Sequence, residues 1–310
     1  MKQITILMNR PLLLCLFFVL LGKWSFSQEE INLYEGAIPD ALSAENIETQ
    51  NPRQSGGAWI TKVSQPTLTS YLVQGSEKPS PAILICPGGG YGGLAIEKEG
   101  HDIALAFQKN GISAFVLKYR MPSERTMIDK SKGPLQDAQQ AMAVIRSNAD
   151  RWQVDPGKVG VIGFSAGGHL ASSLATRFHK PVLEGNTSNV RPDFVILMYP
   201  VISFKDSIGH IGSRNNLIGK NPPAEMITAF SSEENVTTDT PPAFLVHAGN
   251  DKIVKVENTI AFYQALLQHQ VKAQMHIYPE GGHGFGLNNR TTQDKWFDHC
   301  LLWLKDCGIK

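Results

Sequence analysis

Gly163-Phe164-Ser165-Ala166-Gly167 is a G-x-S-x-G run, and Gly168 follows it. A free serine hydroxyl is a weak nucleophile, so a serine used in catalysis needs a base beside it and a third group to orient that base. Two downstream segments supply those residue types: His247-Ala-Gly-Asn-Asp251 and Glu280-Gly-Gly-His283-Gly-Phe-Gly286. The order Ser, acid, His is the one expected when the serine sits on a strand-to-helix turn. Ser165 is the candidate nucleophile, His283 the base and Asp251 the orienting acid, with Glu257 as a reserve acid. Asp251 could instead cap a helix, and a G-x-S-x-G can be no more than a glycine-rich turn. His169, His247 and His276 read as structural, since one follows the serine, one ends a strand and one lies within a strand.

Acyl transfer also needs N–H groups aimed at the oxygen that becomes negative. Pro87-Gly88-Gly89-Gly90-Tyr91-Gly92-Gly93 follows a strand and exposes bare amides, and the Ala166 amide would join them at a helix start. The same glycines match a dinucleotide fingerprint, Gly88-x-Gly90-x-x-Gly93. That reading needs an acidic residue at the end of the next strand, where Lys118-Tyr119-Arg120 stands instead. It leaves a nucleotide-dependent oxidoreductase as the alternative from another class.

Near-continuous apolar runs place these loops. Ala82–Cys86, 112–117, 159–162, 194–198 and 243–246 suit strands buried on both faces of a parallel sheet. Strands at 58–63 and 67–73 alternate like an antiparallel pair, and 273–278 completes eight. Helical patterns fall at 103–107, 135–152, 166–178, 256–267 and 293–304. The alternation predicts a doubly wound, mostly parallel eight-stranded α/β sheet with helices on both faces, one domain over 58–310. Residues 28–57 read as a polar extension, and 201–242, after the sixth strand, as a small insertion or cap.

The bulk composition is ordinary: 42% hydrophobic and 18% charged residues describe a chain that can bury a large core. A net charge of +1 gives no general pull toward nucleic acid. The N-terminus departs from this. Lys2 and Arg10 precede an apolar run, 11–22, and Ser25 and Ser27 stand at −3 and −1 of a cut after Ser27. That order predicts a cleaved signal peptide over 1–27, with export to the periplasm or medium. The run is shorter than the roughly 18 residues of a span, so no stable membrane segment is expected after cleavage. Cleavage removes three basic residues and no acid, which leaves a mature charge of −2. Cys86, Cys300 and Cys307 then remain, an odd number with wide gaps that reads as no disulfide framework.

Nearly all of the mature chain resembles the α/β-hydrolase superfamily. Pro87–Gly93, Leu117-Lys-Tyr-Arg120, Gly163-Phe-Ser-Ala-Gly-Gly-His-Leu170 and Gly281–Gly286 are similar to acetylxylan esterase-like carbohydrate acetylesterases. The chain also resembles hormone-sensitive-lipase-like esterases, with Pro87 where those usually carry the histidine of His-Gly-Gly-Gly. The resemblance implies an oxyanion hole from Gly89, Gly90 and Ala166, and a serine esterase that removes short acyl groups from carbohydrate or other small esters. It implies no cofactor and no metal. Tyr91 and Arg214 are candidate substrate contacts. A prolyl-oligopeptidase-type peptidase uses a similar motif set but carries a large extra N-terminal domain, for which 28–57 is too short. A binding protein on a dead scaffold is expected to lack a triad member, and none is missing. No strong amphipathic helix in 28–57 suggests a lid, so an open site that admits a bulky alcohol is expected.

Overall fold

The computed structural model describes residues 28–52, 57–183 and 189–310; the expected signal peptide, 1–27, lies outside them. Ten strands form. Eight of them, β1 (Glu29–Asn32), β4 (Thr67–Tyr71), β5 (Ser80–Cys86), β6 (Ser113–Lys118), β7 (Val154–Phe164), β8 (Val195–Met198), β9 (Ala243–Ala248) and β10 (Ala273–Tyr278), make one sheet. Its order is β1-β4-β6-β5-β7-β8-β9-β10, antiparallel at β1–β4 and β4–β6 and parallel from β6 to β10. Residues Ala82 to Cys86 and all of β8 and β9 are buried, as continuous apolar runs covered on both faces require.

Helices connect the strands: α1 (Asp102–Lys109), α2 (Gly133–Ser147), α3 (Ala149–Trp152), α4 (Ala166–Arg177), α5 (Ile211–Ile218), α6 (Ala224–Ala229), α7 (Glu257–Gln268) and α8 (Trp296–Asp306). α1 meets α8 through Phe107 and Phe297, ring centroids 5.0 Å apart, while α2 packs on α4. The chain leaves β5 for β6 on one side and returns to β7 on the other. Such a reversal opens a crevice at the carboxyl ends of the two flanking strands. Here those ends are the glycine loop after β5 and Ser165 after β7. Among the described residues no helix is long and apolar enough to cross a membrane.

The count of eight strands agrees with the sequence, but the membership differs. The 58–63 segment does not pair with 67–73. As β3 (Ala58–Thr61) it forms a separate two-stranded sheet with β2 (Thr49–Pro52). Its place in the main sheet falls to Glu29-Glu30-Ile31-Asn32, inside the expected polar extension. This strand carries no apolar alternation because it is an edge held by backbone bonds to β4, and charged side chains suit an edge. Part of the extension thus packs on the main sheet and α2. Leu33 is buried, the Tyr34 hydroxyl donates to Asp137 Oδ1 at 2.9 Å, and Arg120 Nη1 donates to the Pro39 carbonyl at 2.8 Å. The helical run expected over 135–152 is likewise broken at Asn148, whose side chain donates back to the Val144 carbonyl.

The 201–242 segment carries α5, α6 and a short 3₁₀ turn at Ser232–Asn235. It is sewn onto the body rather than standing free. Asn258 of α7 accepts from the Ile202 and Ser203 amides at 2.9 and 3.0 Å, and Ser172 of α4 donates to Ser232 at 2.8 Å. Cys86, Cys300 and Cys307 are free thiols, with burial pushing the first two thiols up.

The buried ion pair Arg120–Asp137 locks the extension to α2: both side chains are at most 1% exposed, and Asp137 also accepts the Arg120 amide at 2.8 Å. Removing one partner strands the other charge inside the protein. Asp137→Ala should lower the unfolding free energy by about 3–5 kcal/mol, seen as a lower urea midpoint with unchanged slope. A loss below about 1 kcal/mol, the range of an exposed pair, would show that the pair is not an anchor.

Candidate active site

Ser165 ends the turn from β7 into α4 with φ 52° and ψ −119°, a left-handed backbone rarely tolerated by a residue with a side chain. Surrounding hydrogen bonds hold it there. The Ser165 amide donates to the Met198 carbonyl at 3.0 Å, and the Ser165 carbonyl accepts from the Val201 amide at 2.9 Å. Gly163 and Gly167 are required by space. A Cβ on Gly163 would lie 2.1 Å from the Gly167 carbonyl oxygen, and one on Gly167 would lie 2.1 Å from that of Cys86.

The structure brings Ser165, His283 and Asp251 into one hydrogen-bonded series. His283 Nε2 is 2.9 Å from Ser165 Oγ, and His283 Nδ1 is 2.6 Å from Asp251 Oδ2. With Nδ1–H donated to the carboxylate, Nε2 is left with its lone pair toward the Ser165 hydroxyl. Asp251 divides its two oxygens. Oδ2 faces the histidine, while Oδ1 accepts the Ile253 and Val254 amides at 2.9 and 3.0 Å and so shapes the turn. The helix-cap expectation for Asp251 is not met, because α7 starts at Glu257 with Val256 at its N-cap; the carboxylate braces the loop before that helix instead. Burial opposes its ionisation, but hydrogen bonds from His247 and His283 outweigh it and hold the carboxyl well below the usual range. Glu257 lies exposed at the start of α7, away from this series.

His247 is structural, as expected, but its partner was not foreseen. Its Nε2 faces Asp251 Oδ2 at 3.2 Å and the Val254 carbonyl at 3.0 Å, so it carries the proton, and Nδ1 accepts from the Thr259 hydroxyl at 2.7 Å. A second imidazole therefore steadies the acid, sharing Oδ2 with His283. The only sequence sign was its position four residues before Asp251. His169 is buried and hydrogen-bonded; burial lowers its pKa to about 4, so it stays neutral.

Gly89 and Gly90 adopt φ of 146° and 65°, and a Cβ on Gly89 would lie 1.9 Å from the Gly93 carbonyl oxygen. No group among the described residues takes the amides of Gly89, Gly90 or Ala166. The Gly88 amide is spent, donating to Glu99 Oε2 at 2.9 Å. That bond also weighs against the dinucleotide reading, because a carboxylate already holds the amide a pyrophosphate would need. Pro87 is fixed by its carbonyl, which accepts from the Tyr119 hydroxyl at 2.8 Å. β3 braces the loop from outside: Ile60 and Leu94 exchange backbone bonds, and the Trp59 ring lies against Gly89 and Gly93.

The two substrate-contact expectations fail. Tyr91, with φ 58°, turns inward until it is 2% exposed, and its hydroxyl donates to His169 Nδ1 at 2.8 Å. Arg214 is 9% exposed and spends its guanidinium on the Phe204 carbonyl and Asp206 within the insertion. The residues of that segment which do reach the oxyanion loop are Asn216, donating to the Gly90 carbonyl at 2.8 Å, and His210, which stands over Gly90. Nothing in their spacing marked them. Among the described residues no group of three or more His, Cys, Asp or Glu is arranged to hold a metal ion.

The sequence profile of the BD-FAE family matches residues 68–266, more than half of the chain. An acetylxylan esterase of Xylanibacter ruminicola is 36% identical over 75% of this chain and 45% of its own length. An endo-1,4-beta-xylanase B of Butyrivibrio fibrisolvens is 34% identical over 89% and 43%. The chain thus spans less than half the length of either. Among solved structures, an acetyl ester-xyloside bifunctional hydrolase of Caldicellulosiruptor lactoaceticus superposes with a TM-score of 0.77 at 36% identity, covering 91% of this chain and 97% of that one.

If Asp251 fixes the tautomer of His283, Asp251→Asn should leave the fold and KM for an aryl acetate nearly unchanged and lower kcat by about 10⁴. Retention of a tenth of the wild-type rate would remove Asp251 from the series.

Proposed function

The chain belongs to the BD-FAE family of α/β hydrolases, and we propose that it is a serine carboxylic ester hydrolase that removes short acyl groups, chiefly acetyl, from xylan-type carbohydrate. The observation that carries this reading is the unbroken series Ser165–His283–Asp251, lying at the same sheet edge as the Gly89, Gly90 and Ala166 amides. The acyl preference and the carbohydrate draw on the names borne by the relatives.

In this mechanism Ser165 Oγ attacks the ester carbonyl as its proton passes to His283 Nε2. Asp251 stabilises the resulting imidazolium and keeps the ring oriented. The free amides receive the oxyanion, His283 returns the proton to the leaving alcohol, and the acyl-serine forms. Water then attacks that ester with His283 as base, releasing the acid and restoring Ser165. Glycoside hydrolysis, which the names of two relatives raise, is not adopted. It needs two carboxyl groups facing across a bound sugar, whereas the acids around this site, Glu99 and Asp251, are buried and hold hydrogen bonds on both oxygens.

Wild-type protein should release acetate from acetylated xylan, with aryl-ester activity falling as the acyl chain lengthens, and Ser165→Ala should abolish both. Undiminished activity in Ser165→Ala would sink the serine mechanism, and rates that climb with acyl length would sink the short-acyl preference. We also propose export, resting on the order of charge, apolar run and small residues over 1–27. The secreted or periplasmic chain should then begin at Gln28 by mass spectrometry; an intact Met1 on the mature protein would contradict it.

A further inference from the structure

We propose that Glu99, relayed by Tyr199, is a positioning residue: a second buried anion that orients His283 and ties the oxyanion loop to the histidine loop. The inference rests on the serine–histidine reading of the site given above.

Glu99 lies in a π-helical turn, Glu97–His101, between the glycine loop and α1. Such widened turns redirect a side chain that an α-turn would carry elsewhere. Its carboxylate sits beneath the active centre. A Cβ added to Gly88 would lie 2.7 Å from Glu99 Oε2 and 2.9 Å from Ser165 Cβ, and one added to Gly284 would lie 3.9 Å from Glu99 Oε1. The residue therefore reaches the flank of both the nucleophile's loop and the base's loop.

Each oxygen has one donor. Oε2 accepts the Gly88 amide at 2.9 Å, and Oε1 accepts the Tyr199 hydroxyl at 2.9 Å. The Tyr199 oxygen in turn accepts the Gly286 amide at 2.9 Å. The Tyr199 ring, fully buried, stands edge-on to His283 with centroids 5.0 Å apart, and Phe285 lies 4.7 Å away on the same ring. Lys98, the neighbour of Glu99, donates to the Gly284 carbonyl. Three bonds thus run from one turn and its tyrosine to the two glycine loops that must keep register with each other.

The charge surroundings give Glu99 a part beyond holding loops. Its neighbours are Lys98 from its own turn, Tyr119 after β6, Tyr199 after β8 and His283 after β10, and Asp251 acts on Tyr199 from the loop after β9. No basic side chain among the described residues forms an ion pair with Glu99. A buried carboxylate without a paired cation is costly. Burial pushes its pKa up, and the Tyr199 and Gly88 hydrogen bonds, with the fields of His283 and Lys98, act against that. Both oxygens being acceptors suits the anion, and Tyr199 keeps its proton because burial and Glu99 raise its own pKa. Of the two basic side chains whose fields act on this anion, His283 has the larger effect, ahead of Lys98, and His283 becomes a full cation when it takes the proton of Ser165. Glu99 then stabilises the imidazolium from across the Tyr199 ring while Asp251 does so through Nδ1.

The test is the acid limb of the kcat/KM profile on an aryl acetate, which reports protonation of the essential base in the free enzyme. Glu99→Gln keeps the shape and removes the charge, so the acid limb of the rate profile moves to lower pH. Glu99→Asp keeps the charge and should leave the limb in place even where kcat drops. A limb at the wild-type position in Glu99→Gln overturns the proposal. Should the Gln variant not fold, Tyr199→Phe carries the test: kcat should fall about ten-fold with KM within two-fold, and a kcat within two-fold of wild type overturns the relay. Ser165→Ala in the same assay separates the two readings, since activity that survives it removes the serine mechanism itself, whatever Glu99 does.

Discussion

The close approach of two strand ends is the constraint on which the site depends. β5 and β7 are parallel neighbours, with Cys86 opposite Gly163, and the chain must leave both at the same edge. The turn after β7 passes so near the end of β5 that no side chain fits between Gly167 and the Cys86 carbonyl. This forces Ser165 into its left-handed backbone and lifts it beside the glycine loop. Gly163 and Gly167 are needed for volume, whereas Gly89 and Gly90 also have the positive φ that glycine adopts at little cost. Two separate physical demands sit behind what looks like one glycine-rich habit.

A layer of buried polar groups keeps those loops in register. His247 and Thr259 hold Asp251, Tyr119 holds Pro87, and Tyr91 leans on His169, whose other nitrogen donates to the Phe230 carbonyl at 2.7 Å. The tyrosine and His169 contacts span elements distant in the chain, while His247 and Thr259 hold Asp251 from nearby. Each is also satisfied at both ends, as buried polar groups must be if they are not to cost more than they contribute. Pro87, which takes the place of the histidine usual in hormone-sensitive-lipase-like loops, is held through its carbonyl, and the adjoining Gly88 is held through its amide by Glu99. An imidazole at that position is therefore dispensable here.

The central strands were legible because burial on both faces imposes a continuous apolar run, as over 82–86, 159–162, 195–198 and 243–246. The edges were not. Glu29–Asn32 joins the sheet mainly through its backbone pairing with β4, with a single apolar side chain, Ile31, against the core, too little to advertise a strand; Trp59–Ile60 looks like a sheet strand yet serves as a brace on the glycine loop. Tyr91 and Arg214 were misread for the same reason. Proximity in sequence to a catalytic loop says nothing of the side on which a side chain emerges once φ is positive or an internal acceptor is at hand.

By itself the sequence determined the class of fold, the chemistry available and the order in which Ser165, Asp251 and His283 occur, because strand burial and loop composition are local properties of the chain. Only the tertiary structure decided that Tyr91 would face the core, that Asn216 and His210 would reach the oxyanion loop, and that His247 and Glu99 would lie against the working residues. Those outcomes depend on which elements the sheet order makes neighbours. A glutamate at 99 and a tyrosine at 199 meet only because β5 and β8 flank the same strand, β7, and no spacing along the chain records that.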